Sequence, residues 1–285
     1  MWIVLTILGI YLLILIVVTW ISLHPIRIPQ FISPGLIGLP QQDVEFETED
    51  GLKLRGWWVP GTGEKGVIVF AHGYLMNRCE FVPVAIRMNQ LGYSCLLFDL
   101  RAHGRSQGKK CGLGWLERYD AKAAVLFART KMPHSKVVYI GSSMGSAAGA
   151  FAAAELSGLV DAIVIDSAYS KLQGAILGWW NFLGGKWLRA LFAPMTWIGI
   201  PFIGFNPFKV DVARAVSQIT EPILFIHGEA DTLATAEDAR RNIKHARDPK
   251  EELWFPGRNH AEFRWEEPEK YLSELESWLN RAFSQ

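Results

Sequence analysis

Ser143 lies in Gly141-Ser142-Ser143-Met144-Gly145, with a glycine two residues before it and another two after. A strand-like run, KVVYIG, leads into it, and an alanine-rich helical stretch, SMGSAAGAFAAAEL, leaves it. A strand that turns sharply into a helix holds a serine hydroxyl clear of the chain. The flanking positions must lack side chains that would collide at the bend. The chemistry of such a hydroxyl is attack on a carbonyl carbon. The helix N-terminus behind it favours an anionic intermediate. In a chain with 26 glycines the short pattern alone is weak evidence; the strand and helix around it make it specific.

A serine nucleophile needs a base. Of the seven histidines, His24 lies in a proline-rich stretch, His134 precedes the nucleophile strand and His245 falls within a helix. His72, His103, His227 and His260 remain. His260, in PGRNHAEF, follows the last strand-like run, ELWF, and in the order Ser…Asp…His the base comes last. Taken alone it reads equally well as a solvated loop histidine. The base needs an orienting carboxylate. Asp231 follows PILFIHG and lies between Ser143 and His260 in the chain. Glu229 and Asp166 compete with it, and Asp231 also reads as an N-terminal residue of the helix that begins near TAEDARR. The oxyanion needs two N–H donors. Met144, next after the serine, supplies one. The turn after the first central strand, His72-Gly73-Tyr74, supplies the other through the Tyr74 amide. His72 then reads as a structural residue that holds this turn through its ring nitrogens.

These residues must be positioned by a framework. After a D-G hairpin that joins DVEFETED to LKLRGWWVP come GVIVFAH, YSCLLFD, KVVYIG, VDAIVID, PILFIHG and EELWF. Near-continuous apolar runs of this length are strands covered on both faces. Helical stretches near 80–91, 117–131, 144–157, 235–247 and 268–283 separate most of them. The alternation predicts a mostly parallel sheet with helices on both sides. Residues 42–285 are read as this one domain.

Two regions stand outside the alternation. Residues 2–23 carry no charge, and a helix of that length spans about 33 Å, enough for a hydrocarbon core of about 30 Å. Trp2 and Trp20 sit near its ends, where amphipathic rings favour the membrane interface. No basic n-region or A-x-A site marks a cleaved signal, so residues 1–23 read as a single-pass anchor. The flanking charges barely orient it; the reading leans to a cytoplasmic domain. Residues 24–41, with four prolines and two glycines, read as a stiff linker that lifts the domain off the bilayer. The second region is 168–208, rich in tryptophan and broken by Gly and Pro. Lys186, Arg189 and Pro194 argue against a second span. It reads as an apolar lid over a pocket or as a segment in the membrane interface.

Composition excludes other classes. The 285 residues are 50% apolar with formal net charge +1, so no broad field for nucleic acid exists. Cys79, Cys95 and Cys111 form no CxxC and suggest neither a disulfide framework nor a zinc site. No metal or cofactor is expected, and the sequence does not fix the oligomeric state.

The ordered set HGY, FDLRAHGRSQG, GSSMG, HGEAD and NHAEF resembles the α/β-hydrolase superfamily. It is most similar to membrane-anchored serine hydrolases of the depalmitoylase-like branch and their bacterial relatives. The resemblance runs from about residue 43 to the C-terminus; 168–208 departs from it. It implies an α/β-hydrolase fold with Ser143 as nucleophile, Asp231 as acid and His260 as base. It implies the Met144 and Tyr74 amides as oxyanion hole, and Asp99 as the brace of a turn. The expected reaction is hydrolysis of an apolar or lipid-derived acyl ester or thioester. The alternatives are an aminopeptidase-like serine peptidase and a non-catalytic membrane adaptor.

Overall fold

The computed structural model describes residues 1–62 and 65–284. Eight strands form one sheet in the order β1-β2-β4-β3-β5-β6-β7-β8. They are β1 (Gln42–Glu47), β2 (Lys53–Val59), β3 (Val67–Ala71), β4 (Ser94–Phe98), β5 (Val137–Ser142), β6 (Ala162–Asp166), β7 (Ile223–Gly228) and β8 (Lys250–Phe255). β1 and β2 pair as an antiparallel hairpin, β2 joins β4 antiparallel, and every pairing from β4 through β8 is parallel. The helices are α1 (Trp2–Leu23), α2 (Val82–Gln90), α3 (Arg118–Lys131), α4 (Met144–Glu155), α5 (Leu172–Phe192), α6 (Met195–Ile198), α7 (Ile200–Ile203), α8 (Val212–Val216), α9 (Ala236–His245), α10 (Phe263–Glu266) and α11 (Pro268–Ser284).

The apolar runs become strands because both of their faces are covered. Along β3, Val67, Val69 and Ala71 point into a core shared with Ala121 and Ala124 of α3 and Ala147 and Ala148 of α4. Ile68 and Phe70 point the other way, toward Val82 and Met88 of α2 and Tyr271 and Leu275 of α11. The period-2 alternation of a strand thus supplies two cores at once. α4 is the central helix, and ten of its twelve residues are buried. Its alanines combine high helix propensity with a radius small enough to lie close on the sheet. α9 is the opposite type, an amphipathic surface helix that starts at a Thr235–Asp238 capping box.

Residues 24–41 lie along the domain and are bonded to it. Arg27 donates to the carbonyls of His103, Gly104, Ser106 and Gly108 at 2.7–3.0 Å. Asn77 donates to the carbonyls of Ile28 and Pro29 at 3.0 and 3.2 Å, and Gln30 donates to Asp99 at 3.2 Å. The physical reason is the composition itself. A proline-rich extended segment cannot pair its polar groups internally, so they pair with the domain: Asn77 takes two of its carbonyls, while Arg27 and Gln30 donate outward.

Among the described residues one helix, α1, is long and apolar enough to cross a membrane, and 11% of its apolar window is buried. The 168–208 region folds as α5, α6 and α7. α5 breaks at Gly185, whose φ of 75° only glycine adopts readily. Phe182, Leu183, Trp187 and Trp197 leave large apolar areas exposed.

Candidate active site

β5 ends at Ser142 and α4 begins at Met144, so Ser143 is the single residue of the bend. Its φ of 50° is a left-handed value that a non-glycine residue adopts at a cost. The neighbouring chain holds it there. A Cβ on Gly141 would meet the Ser146 nitrogen at 2.4 Å, and one on Gly145 would meet the Ala71 oxygen at 2.3 Å. Both glycines are therefore required by close backbone approach. The Ser146 hydroxyl locks the bend, donating to the Gly141 carbonyl at 2.7 Å and accepting from the Asp166 amide at 2.9 Å. The Ser143 amide donates to the Asp166 carbonyl at 2.8 Å.

The three side chains that chain order singles out meet at the carboxyl ends of the strands. His260 Nε2 lies 3.0 Å from Ser143 Oγ. His260 Nδ1 lies 2.7 Å from Asp231 Oδ2. Asp231 is buried in the loop after β7, and its Oδ1 accepts the amides of Leu233 and Ala234 at 2.8 and 2.9 Å. Both lone pairs of Oδ1 are thus matched, and Oδ2 is left to face the imidazole. Asn259 Oδ1 accepts the His260 amide at 2.9 Å and fixes the loop behind it. The competing carboxylates are elsewhere. Glu229 is exposed, and Asp166 is buried under Arg264 at 2.9 Å. Burial raises the Asp166 carboxyl above its ordinary value, with Arg264 pulling against it.

The other three histidines are buried and structural. His72 Nδ1 meets the Gly73 carbonyl at 2.7 Å, and its Nε2 accepts the Leu100 amide at 3.0 Å, so it must be neutral there. His227 Nε2 lies 2.7 Å from the Ala234 carbonyl. Burial lowers the affinity of all three for a proton, and that of His103 falls to a pKa of about 3. Asp99 braces a turn. It accepts from the amides of Arg78 and Arg105 at 2.9 and 2.7 Å and pairs with the Arg78 guanidinium at 2.8 Å.

Met144 is the first residue of α4, and the first amides of a helix have no partner within it. Tyr74 borders the same cavity, and its hydroxyl donates to the Ser22 carbonyl at 2.9 Å. Beneath them is a buried network that sequence reading missed. Arg264 donates to Asp166 at 2.9 Å, to Ser142 Oγ at 2.9 Å and to Glu80. Glu80 in turn accepts the Gly73 amide at 2.7 Å. One guanidinium thereby ties together the nucleophile strand, the end of β6 and the His72–Tyr74 turn. Arg264, Glu80 and Asp166 have side-chain exposures of 4%, 3% and 0%, so each charge depends on the others. The available sequence signal was Ser142, a polar residue at the end of an otherwise apolar buried strand.

The cavity in front of Ser143 has a volume of about 340 Å³. Its floor is polar, with Ser142, Glu80 and Arg264. Its walls are apolar, among them Leu23, Ile176, Trp179, Met195 and Ile203. Among the described residues no group of three or more His, Cys, Asp or Glu is arranged to hold a metal.

Comparison with known proteins agrees with this fold. A family model for the alpha/beta hydrolase fold matches residues 66–200. An uncharacterised protein of Mycobacterium tuberculosis is 26% identical over 86% of this chain and 83% of its own. The alpha/beta hydrolase domain-containing protein WAV2 of Arabidopsis thaliana is 26% identical over 71% of this chain and 65% of its own. Among solved structures, the Pyrococcus furiosus esterase Pf2001 is similar with a TM-score of 0.76 and 27% identity, covering 91% of this chain and 98% of that one. The sheet order, the strained serine between strand and helix, and these likenesses give the chain the α/β-hydrolase fold.

Proposed function

We propose that this chain is a membrane-associated serine hydrolase that cleaves an acyl ester or thioester of an apolar, lipid-derived substrate. The observation that carries the reading is the continuous contact from Ser143 Oγ through His260 to Asp231, at 3.0 and 2.7 Å, beside an apolar cavity. In this reading His260 Nε2 takes the Ser143 proton as Oγ attacks the carbonyl carbon. Asp231, held by two backbone amides, keeps Nδ1 protonated and stabilises the imidazolium. The Met144 and Tyr74 amides receive the oxyanion. His260 then protonates the leaving group, and a water activated by the same imidazole cleaves the acyl-enzyme. No step requires a further group.

The substrate class follows from the walls of the cavity. A chain of methylenes gains about 0.8 kcal/mol for each one buried. A peptidase of this fold needs a charge to hold a peptide terminus. Lys186 and Arg189 of the insert are exposed and do not border the cavity, Arg264 and Glu80 are paired with each other, and Glu262, which borders the cavity, accepts the Asn259 amide at 3.0 Å. This favours the ester over the peptide. The exposed apolar side chains of α1 and α5–α7 support membrane association, with the insert as a cover over the cavity that dips into the interface. The depalmitoylase-like branch fits this set but rests on the motif resemblance.

The test is a series of p-nitrophenyl esters of increasing chain length beside aminoacyl amides, with wild type and Ser143→Ala. Hydrolysis that favours longer acyl chains and is abolished in Ser143→Ala is expected. A preference for the amides would move the assignment to a peptidase. A folded wild type inert toward every ester, amide and fluorophosphonate would leave the adaptor.

A further inference from the structure

α1 changes character along its length. Ile3, Leu8 and Leu13 are 76%, 56% and 59% exposed. In the second half Leu15, Thr19 and Leu23 are buried. They are spaced four apart and share one stripe of the helix. This end packs on α6 and α7 of the insert. Thr19, Ser22 and Leu23 border the same cavity as Ser143 and His260. The arrangement is pinned by polar contacts. Tyr11 donates to the Leu191 carbonyl at 2.5 Å, Tyr74 to the Ser22 carbonyl at 2.9 Å, and the Cys111 amide to the Leu23 carbonyl at 2.8 Å.

Thr19 is the telling residue. It is 4% exposed, and among the described residues its Oγ1 has no hydrogen-bond partner. A buried hydroxyl without a partner is unfavourable, and valine would fill the same volume without that cost. The hydroxyl gains a partner when an oxygen of a bound molecule lies beside it. A helix whose only task is to anchor has no use for such a group at the edge of a cavity.

We propose that the last two turns of α1 are a wall of the substrate site, so that a lipid-borne acyl ester reaches Ser143 between α1 and α6–α7, with Thr19 donating to an oxygen of that lipid. This deepens the hydrolase reading and rests on it. The anchor does not merely tether the enzyme; it completes the acyl pocket and sets its length preference.

A direct test uses the full chain in phosphatidylcholine vesicles and an alkyl fluorophosphonate whose long chain carries a diazirine. Ser143 Oγ bonds to phosphorus, fluoride leaves, and the serine proton passes to His260. Irradiation then marks whatever the chain touches. Crosslinks to peptides containing residues 15–23 and 195–203 are the expected result. An adduct at Ser143 with crosslinks confined to other walls, such as those at Leu113 or Leu233, overturns the proposal and leaves the hydrolase standing. No adduct at Ser143 removes both. A variant series gives a second readout. Thr19→Trp should lower the ratio of kcat/KM for palmitoyl over acetyl p-nitrophenyl ester by about tenfold or more. Leu8→Trp, on the outward face, should leave that ratio as in wild type. An unchanged ratio in Thr19→Trp contradicts the wall.

Discussion

The carboxyl end of the sheet and the helical insert above it obey opposite rules. At the sheet end, charges are buried and matched. Asp231 faces His260 and two amides, and Arg264 faces Glu80, Asp166 and Ser142. In the insert, apolar rings are left uncovered: Trp187 and Trp197 are 68% and 65% exposed. A buried charge without its partner is costly, so the first region must be rigid to exist at all. An exposed apolar surface is costly in water but not in lipid, so under the proposed function the second region suits a different solvent. The cavity lies where the two meet.

Substitutions in each region test this contrast. The largest effect is expected at the sheet end. Asp231→Asn should lower kcat by about four orders of magnitude, because the amide favours the wrong imidazole tautomer. Steady-state ester hydrolysis measures it, and a loss under tenfold would take the carboxylate out of the mechanism. Arg264→Met strands Glu80 and Asp166 as buried carboxylates. It should cost about 3–5 kcal/mol in urea unfolding, and a change under about 1 kcal/mol would show that the network is ornamental.

The buried histidines give a third effect, with a definite sign. Burial holds His103 near a pKa of about 3 against an ordinary 6.5. Between those values the unfolded chain binds a proton that the folded chain refuses, so stability is present above 6.5 and is lost as pH falls. The loss from His103 alone should reach about 2 kcal/mol at about pH 5. His72 and His227 are lowered for the same reason and add to it. Thermal melts across this range should show the slope, and His103→Gln should flatten it. A melt independent of pH would mean that His103 is solvated.

The smallest effect belongs to the insert. Replacing Trp187 and Trp197 together by Phe should change stability by less than about 0.5 kcal/mol per site. Brominated lipid should nevertheless quench the emission of wild type more than that of the double variant. Equal quenching would put the insert in water.

The same contrast explains what could be read from the chain alone. Strands covered on both faces advertise themselves, because each must be apolar along its whole length; Val67–Ala71 and Val137–Ser142 were legible for that reason. The residues brought together around Ser143 were legible because a strand end, a glycine pair and a fixed chain order each leave a local trace. Arg264 leaves none. Its partners Glu80 and Asp166 lie 184 and 98 positions away, and nothing near it in sequence says that it is buried. Arg27 was opaque in the same way. A charge among prolines reads as solvated, yet it meets four carbonyls contributed 76–81 positions later. The inward turn of α1 was also hidden, since Thr19 differs little from its neighbours in an uncharged run.

The central claim is that the Ser143 hydroxyl is made nucleophilic by His260. Digesting the full chain after brief exposure to a fluorophosphonate, and weighing the peptides, tests it most directly. A single adduct on the peptide that carries Ser143 is expected, formed rapidly in wild type and at least about a thousandfold more slowly in His260→Ala. A modification on another residue, or one that forms equally fast without the imidazole, would contradict it.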